Sequence, residues 1–318
     1  MTASKPPNKP WRHHYVPKFL LQQWSNPEGK VALYQKLPTG KVTVDWRVPK
    51  SIAFEPELYS FPALGEASAT IETNLFGKLD DQAAKIVHRM IETGGDELSV
   101  EEMEWWSHFL LSLIIRGPES TRALKAAAAE IWAAPDPKTQ ADYEALRGAN
   151  DPPTVEAWLA EQAGSNDLGG QRLGHRILHS LVMHSSLAER IRQMNWYVWP
   201  TDRKSQPFLI SDRPVFMSNG LGKESGQILM PLGPRHLFLA FYDESYARGV
   251  MQMPAEETVD MARKLMAVRA QKHVYASTTH EREFLKTWLG YEKVSSVGET
   301  LAANWANTGP DGSGTARG

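Results

Sequence analysis

The apolar positions of this chain change period twice. A short amphipathic run, Lys18 to Trp24, follows a Val-Pro lead-in that sets Pro17 at a first helical position. In the next stretch, GKVALYQKLPTGKVTVDWRV, Val31 and Leu33 and then Val42, Val44 and Trp46 lie two apart. That is the period of a half-buried strand, and LPTGK supplies turn residues between the runs, so a hairpin is expected. Ile52 to Ala63, broken by Pro56 and Pro62, reads as irregular.

From Ala69 to Met90 the period lengthens. Leu75, Phe76, Leu79, Ala83, Ile86, Val87 and Met90 recur at three- and four-residue spacing, which predicts an amphipathic helix. Glu72, four residues before Phe76 and seven before Leu79, falls on the apolar stripe, an unusual place for a carboxylate. Ser99 and Glu102 have the capping-box spacing ahead of Met103, Trp106, Leu110 and Leu113. That helix should stop at RGPE, where Gly117 and Pro118 disfavour continuation and Arg116 is left at a C-terminus whose dipole favours a cation. An alanine-rich helix, Glu119 to Trp132, comes next. Residues 133–153, with four prolines, read as a loop or insertion. Thr154 is placed to cap a short helix through Gln162, and Gln171 to Met194 reads as one long helix with His184 on its stripe.

The final third returns to short apolar runs, NWYVWP, FLIS, PVFM, GQILMPL and HLFLAF, broken by Asp, Pro and Gly, which read as strands. Helices are expected over Ala255 to Gln271 and Arg282 to Gly290, with HVYA between them as an edge strand. Residues 1–10 read as a flexible arm and 304–318 as a disordered tail. The expectation is α+β: a mixed or antiparallel sheet built from the N-terminal hairpin and the C-terminal strands, packed with a central helical bundle in a single domain over 11–303. No internal repeat suggests a solenoid or propeller.

Composition narrows the chemistry. The chain has 318 residues, 42% of them hydrophobic, and no cysteine, so disulfides, thiolate metal sites and cysteine nucleophiles are excluded together. Any metal would be held by His, Asp or Glu. The longest apolar run, FLLSLII, is far too short to span a bilayer, and the first residues lack the apolar centre of a secretory signal, so no membrane partner and a cytoplasmic location are expected. Charge is unevenly placed. Residues 1–50 hold nine Lys/Arg against two acids, a local +7 in a chain of net −2, which leaves −9 for the rest. Interleaved with Trp11, Tyr15, Trp24, Tyr34 and Trp46, this segment is a candidate nucleic-acid face; the plain alternative is a solvated basic surface around core aromatics.

HHYVPKFLLQQW, IETNLFGKLDDQAAKIV, FLLSLIIRGPESTR, NWYVWPTDRKSQPFLISDRPV and MPLGPRHLFL follow one another in an order that resembles the bacterial domain-of-unknown-function family DUF4238, from about His13 to Thr279. The resemblance implies a single α/β or α+β unit and no assigned activity. The sequence departs from it at LDDQ, where a second glutamate would be expected, and this puts the role of Asp80 in question.

Four separated residues are the candidate site: His14, Glu72, Arg116 and Asp212. HHYVP is similar to the opening of His-Asn-His nucleases, but the ββα unit those need is missing because a helix follows at once. Asp212, after the apolar FLI, sits where a buried strand emerges; an Asx-turn aided by Pro214 is the competing reading. For Glu72 the alternative is a helix N-terminal acid, and for Arg116 a cap on last-turn carbonyls. His175 and His179 share a helix face without the flanking Glu of a zinc motif, and His184 reads as a core histidine. Nucleophile-elbow, P-loop and dinucleotide fingerprints are absent. Two function classes remain. One is a divalent-metal-dependent hydrolase of nuclease or phosphoesterase type, with His14, Glu72 and Asp212 as metal ligands or acid/base groups and Arg116 steadying a phosphate. The other is a non-catalytic recognition module for nucleic acid, peptide or small ligand, in which the same residues form a buried polar network. Nothing in the pattern fixes an oligomeric state.

Overall fold

The computed structural model describes residues 12–308, apart from 70, 96, 134–136, 149–150, 156, 159–160, 162–167, 219, 221–222 and 224. The protein is α+β with antiparallel sheets. Strand β1 (Arg12–His14) pairs with β4 (Phe54–Pro56) in a two-stranded ribbon, and the short helix α1 (Lys18–Gln22) lies between them in sequence. The expected hairpin is β2 (Val31–Lys36) and β3 (Val42–Arg47), turned through Gly40 at φ 81°. It forms one four-stranded sheet with β6 (Ile210–Ser211) and β10 (His273–Ala276) in the order β3-β2-β10-β6. A second sheet has the order β5-β9-β8-β7, from β5 (Asn195–Pro200), β7 (Phe216–Ser218), β8 (Gln227–Gly233) and β9 (His236–Phe241).

The near-continuous apolar character of β8 and β9 has a structural cause: both of their faces are buried. Ile228, Met230, Leu232, Phe238 and Ala240 enter the helical core, while the intervening Leu229, Leu237, Leu239 and Phe241 enter a second core. The helical core is built by α1 together with α2 (Gly77–Thr93), α3 (Val100–Ile115), α4 (Pro118–Ala133), α6 (Leu168–Val182) and α7 (Ser185–Arg192). The second core is closed by α8 (Glu244–Met251), α9 (Ala255–Val268) and α10 (Arg282–Trp288). Helix α6 packs on α4 with the Trp132 ring against Gly169, where a Cβ would lie 1.9 Å from the ring and force it to move.

The N-terminal segment is fully engaged. Val16, Leu20, Leu21 and Trp24 are buried, and the Trp24 indole donates to the Phe208 carbonyl at 2.7 Å across 184 residues of sequence. Several expectations change. HVYA is an inner strand, between β2 and β6, because its Val274 and Ala276 face the second core while Tyr275 faces the helical one. The long helix expected over Gln171–Met194 divides at Met183–His184, and His184 is exposed at the break instead of lying on the apolar stripe. Residues 133–153 contain a further helix, α5 (Pro137–Leu146). Helix α11 (Val297–Thr308) runs into the stretch read as a tail. The arm 1–10, residues 309–318 and part of the Thr154–Gln162 helix lie outside the described residues.

Candidate functional site

The adjacent histidines at the N-terminus have different surroundings. His13 accepts the Tyr59 main-chain N–H on Nδ1 at 2.9 Å and stacks on the Tyr59 ring, with centroids 5.2 Å apart and planes within 5°. It serves the chain trace. His14 points the other way, as alternation along a strand requires, and is buried against Phe54. The carbonyls of Arg12 and Lys50 accept from its ring, and Nε2 is buried with no partner. With the other nitrogen protonated toward those carbonyls, the neutral imidazole carries its lone pair on Nε2. Burial first, then the charge of Lys18, lowers the His14 pKa to about 4, so the ring is neutral at pH 7. The ribbon that carries it is backbone-strained: Ala53 and Glu57, on either side of β4, have φ of 52° and 51°, a region L-residues rarely enter.

Glu72 sits on a π-helical turn, Ile71–Phe76, that leads directly into α2. The wider turn interrupts the regular 3.6-residue ladder, a feature concentrated at functional sites. Its Oε2 is buried and has no partner. Burial, opposed by Arg116 and reinforced by Asp80, raises its pKa to about 7. A carboxyl group in this state is divided between acid and base at neutral pH.

Arg116 ends α3, as the sequence indicates, but its guanidinium does not cap that helix. It is fully buried, lies 5.5 Å from each of the Phe76 and Phe109 ring centroids, and donates from Nη1 to Asp80 Oδ1 at 2.8 Å. Nε and Nη2 are buried without a partner. Tyr59 ties the elements together, its hydroxyl donating to the Arg116 carbonyl at 2.8 Å. The charges of Arg116, Glu72 and Asp80 all act on that hydroxyl, and burial holds it well above its ordinary pKa. Exposed Lys18, at the start of α1, acts electrostatically on His14, Glu72 and Asp80.

Of the four candidates, Arg116 is ion-paired with Asp80 and its charge acts on both Glu72 and His14, whereas among the described residues no contact joins His14 to either carboxylate. Asp80 had a signal in the sequence, since it lies eight residues after Glu72 and so on the same side of the helix two turns on. Tyr59 had none, because its role depends on the fold of an irregular segment. Asp212 is placed otherwise. Its carboxylate accepts three main-chain N–H groups, from Gln271 at 2.8 Å, Lys272 at 2.7 Å and His273 at 2.9 Å, and so clamps the turn from α9 into β10. The charges acting on Glu72 are those of Arg116, Asp80 and Lys18, with no contribution from Asp212. Among the described residues no group of three or more His, Asp or Glu side chains is arranged to hold a metal ion, so the set His14, Glu72 and Asp212 is not a preformed metal site. The positive charge that acts on both carboxylates, Asp80 and Glu72, is the Arg116 guanidinium.

The remaining candidates lie elsewhere. His175 packs edge-on against Phe61 and feels the charge of its helical neighbour His179. The basic N-terminal residues are dispersed: Lys30 pairs with Glu28, Arg47 with Asp45, Lys36 donates to the Leu289 carbonyl and Arg12 lies over Phe54. Among the described residues no helix is long and apolar enough to cross a membrane. No curated protein and no solved structure matches the chain. A family model does match, over residues 12–280, and the chain belongs to the family described as Protein of unknown function (DUF4238).

Proposed function

We propose that the protein is a hydrolase of phosphoesterase type and that His14, Glu72, Asp80 and Arg116 are its reacting centre. One observation carries this reading. Of nine buried side-chain atoms without a hydrogen-bond partner among the described residues, four belong to this cluster: His14 Nε2, Glu72 Oε2, and Nε and Nη2 of Arg116. Leaving a buried polar atom unpaired costs about 1–3 kcal/mol, more for charged groups, so a concentration of them implies a missing polar guest. The donor and acceptor types fit a phosphate ester. Arg116 offers two N–H groups to non-bridging oxygens, neutral His14 can take a proton from an attacking water, and the acid form of Glu72 can give its proton to the leaving oxygen. Water adds to phosphorus as the ester P–O bond breaks, and the products are an alcohol and phosphate. Asp80 holds the guanidinium in place. Arg116 is fully buried and the Asp80 side chain is only 26% exposed, which favours a small ester over a polymer.

The test is hydrolysis of nitrophenyl phosphate and bis-nitrophenyl phosphate, beside single- and double-stranded DNA and RNA, with and without Mg²⁺, Mn²⁺ or Zn²⁺. The expected outcome is turnover of the small esters that falls by about 10²–10⁴-fold in Glu72→Gln and in His14→Asn, with both variants folded. Absence of turnover on every substrate and metal would leave the cluster as a binding site in a recognition module.

A further inference from the structure

The open edge of Arg116 specifies more than a phosphate ester. Its Nη1 is committed to Asp80, and the two nitrogens left without partners, Nε and Nη2, are the parallel pair that a guanidinium presents side-on to two oxygens of one oxyanion. The Phe76 and Phe109 rings pack against the guanidinium, each centroid 5.5 Å from its central carbon. Yet the guanidinium is already paired with the Asp80 carboxylate, and its charge also acts on Glu72. An incoming dianion would bring further negative charge against an ionised Glu72 in a poorly solvated site. The conflict disappears when Glu72 is a carboxylic acid, since its unpartnered oxygen becomes a donor to the same guest.

We propose that this site takes up a tetrahedral oxyanion together with one proton, the anion lying on the Nε–Nη2 edge of Arg116 and the proton residing on Glu72. The inference rests on reading the cluster as a reactive centre and names what that centre holds. Burial raises the carboxyls of both Glu72 and Asp80, but Asp80 is hydrogen-bonded to Arg116 and the Glu72 oxygen is unpartnered, so Glu72 is the proton acceptor. Arg116, Asp80 and Lys18 act on it from α3, α2 and α1; Tyr59 is held neutral by burial; and His14, lowered to about 4, does not titrate above pH 6. Because Glu72 is half-protonated near pH 7, the proton must be acquired from solvent at alkaline pH.

Sulfate is the probe, because it stays a dianion from pH 6 to pH 9 whereas phosphate itself titrates. Calorimetric titration of the intact protein with sulfate, at constant ionic strength in chloride, is expected to give a Kd that weakens by up to about tenfold per pH unit above pH 7. At pH 8, two buffers of different ionisation enthalpy should report close to one proton taken up per sulfate. Glu72→Gln, neutral at every pH, should bind with a Kd that does not change with pH. Arg116→Lys, which keeps the charge and loses the fork, should bind at least tenfold more weakly throughout. A pH-independent Kd in the unaltered protein, full binding in Arg116→Lys, or no saturable binding by the folded protein at pH 6 would each overturn the proposal. Ester hydrolysis accompanied by pH-independent sulfate binding would sink this inference and leave the hydrolase standing. Proton-linked sulfate binding without hydrolysis would do the reverse.

Discussion

The helical core and the second core each contain a buried arginine, and the two are treated differently. Arg263, on α9, donates to the Pro207 carbonyl and pairs with buried Glu281. Glu281 accepts from Thr278 Oγ1 at 3.2 Å, and its main-chain N–H donates to the Tyr34 hydroxyl, which donates in turn to the Thr278 carbonyl at 3.0 Å. None of these polar atoms is left unpaired. Arg116, equally buried, has one carboxylate partner and two idle nitrogens, and its charge acts on Glu72 and His14, each of which has an idle atom of its own. Burial of charge by itself therefore does not indicate function. The proposed reading rests instead on several incompletely paired groups in one region, because a closed network such as that of Arg263 already accounts for its desolvation and an open one does not.

This contrast can be broken in several ways. The largest effect on stability is expected from Glu281→Ala, which strands the Arg263 charge in the second core and should cost about 3–5 kcal/mol in urea or thermal unfolding. A loss below about 1 kcal/mol would mean that the closed network is no more structural than the open one.

Next comes the pH dependence of the open cluster, where two groups act with opposite sign. The Glu72 pKa is raised from 4.5 to about 7, so the folded state holds a proton that the unfolded state lacks, and this contribution is lost as pH rises from 4.5 to 7. The His14 pKa is lowered from 6.5 to about 4, so the unfolded state holds the extra proton and stability falls as pH drops from 6.5 to 4. Each is on the order of 3 kcal/mol across its window. Between pH 4.5 and 6.5 they nearly cancel. In denaturation curves taken across pH, His14→Asn should uncover a fall in stability toward pH 7, and Glu72→Gln a rise from pH 4 to 6.5. Identical pH profiles for the two variants would contradict the assignment.

Asp212→Asn comes third. An amide cannot accept all three N–H bonds of the 271–273 turn, and about 2 kcal/mol should be lost in the same unfolding measurement, with hydrolysis by the folded fraction unchanged. A drop in turnover at full folding would return Asp212 to the site. The smallest effect is Ser99→Ala, about 1 kcal/mol, from removal of the cap on α3, whose far end delivers Arg116; circular dichroism melts would show it.

Local patterns in the sequence were enough to determine the hairpin, the capping box that starts α3, its end at Arg116, the strands β8 and β9, and the presence of Glu72 on an apolar stripe. Each follows from residues within a few positions of one another, where backbone sterics, caps and hydrophobic period act directly. Only the tertiary structure decided which polar residues meet. It separated His13 from His14, because one is fixed by Tyr59 and the other is left with a free nitrogen. It replaced Asp212 by Asp80, because the Asp212 carboxylate is taken by main-chain N–H groups about sixty residues away, and the Asp80 carboxylate faces a guanidinium delivered by a different helix. It made HVYA an inner strand by adding short β6 to its far side. Such pairings are set by long-range packing of the two cores, a property of the whole chain's burial that no local spacing encodes.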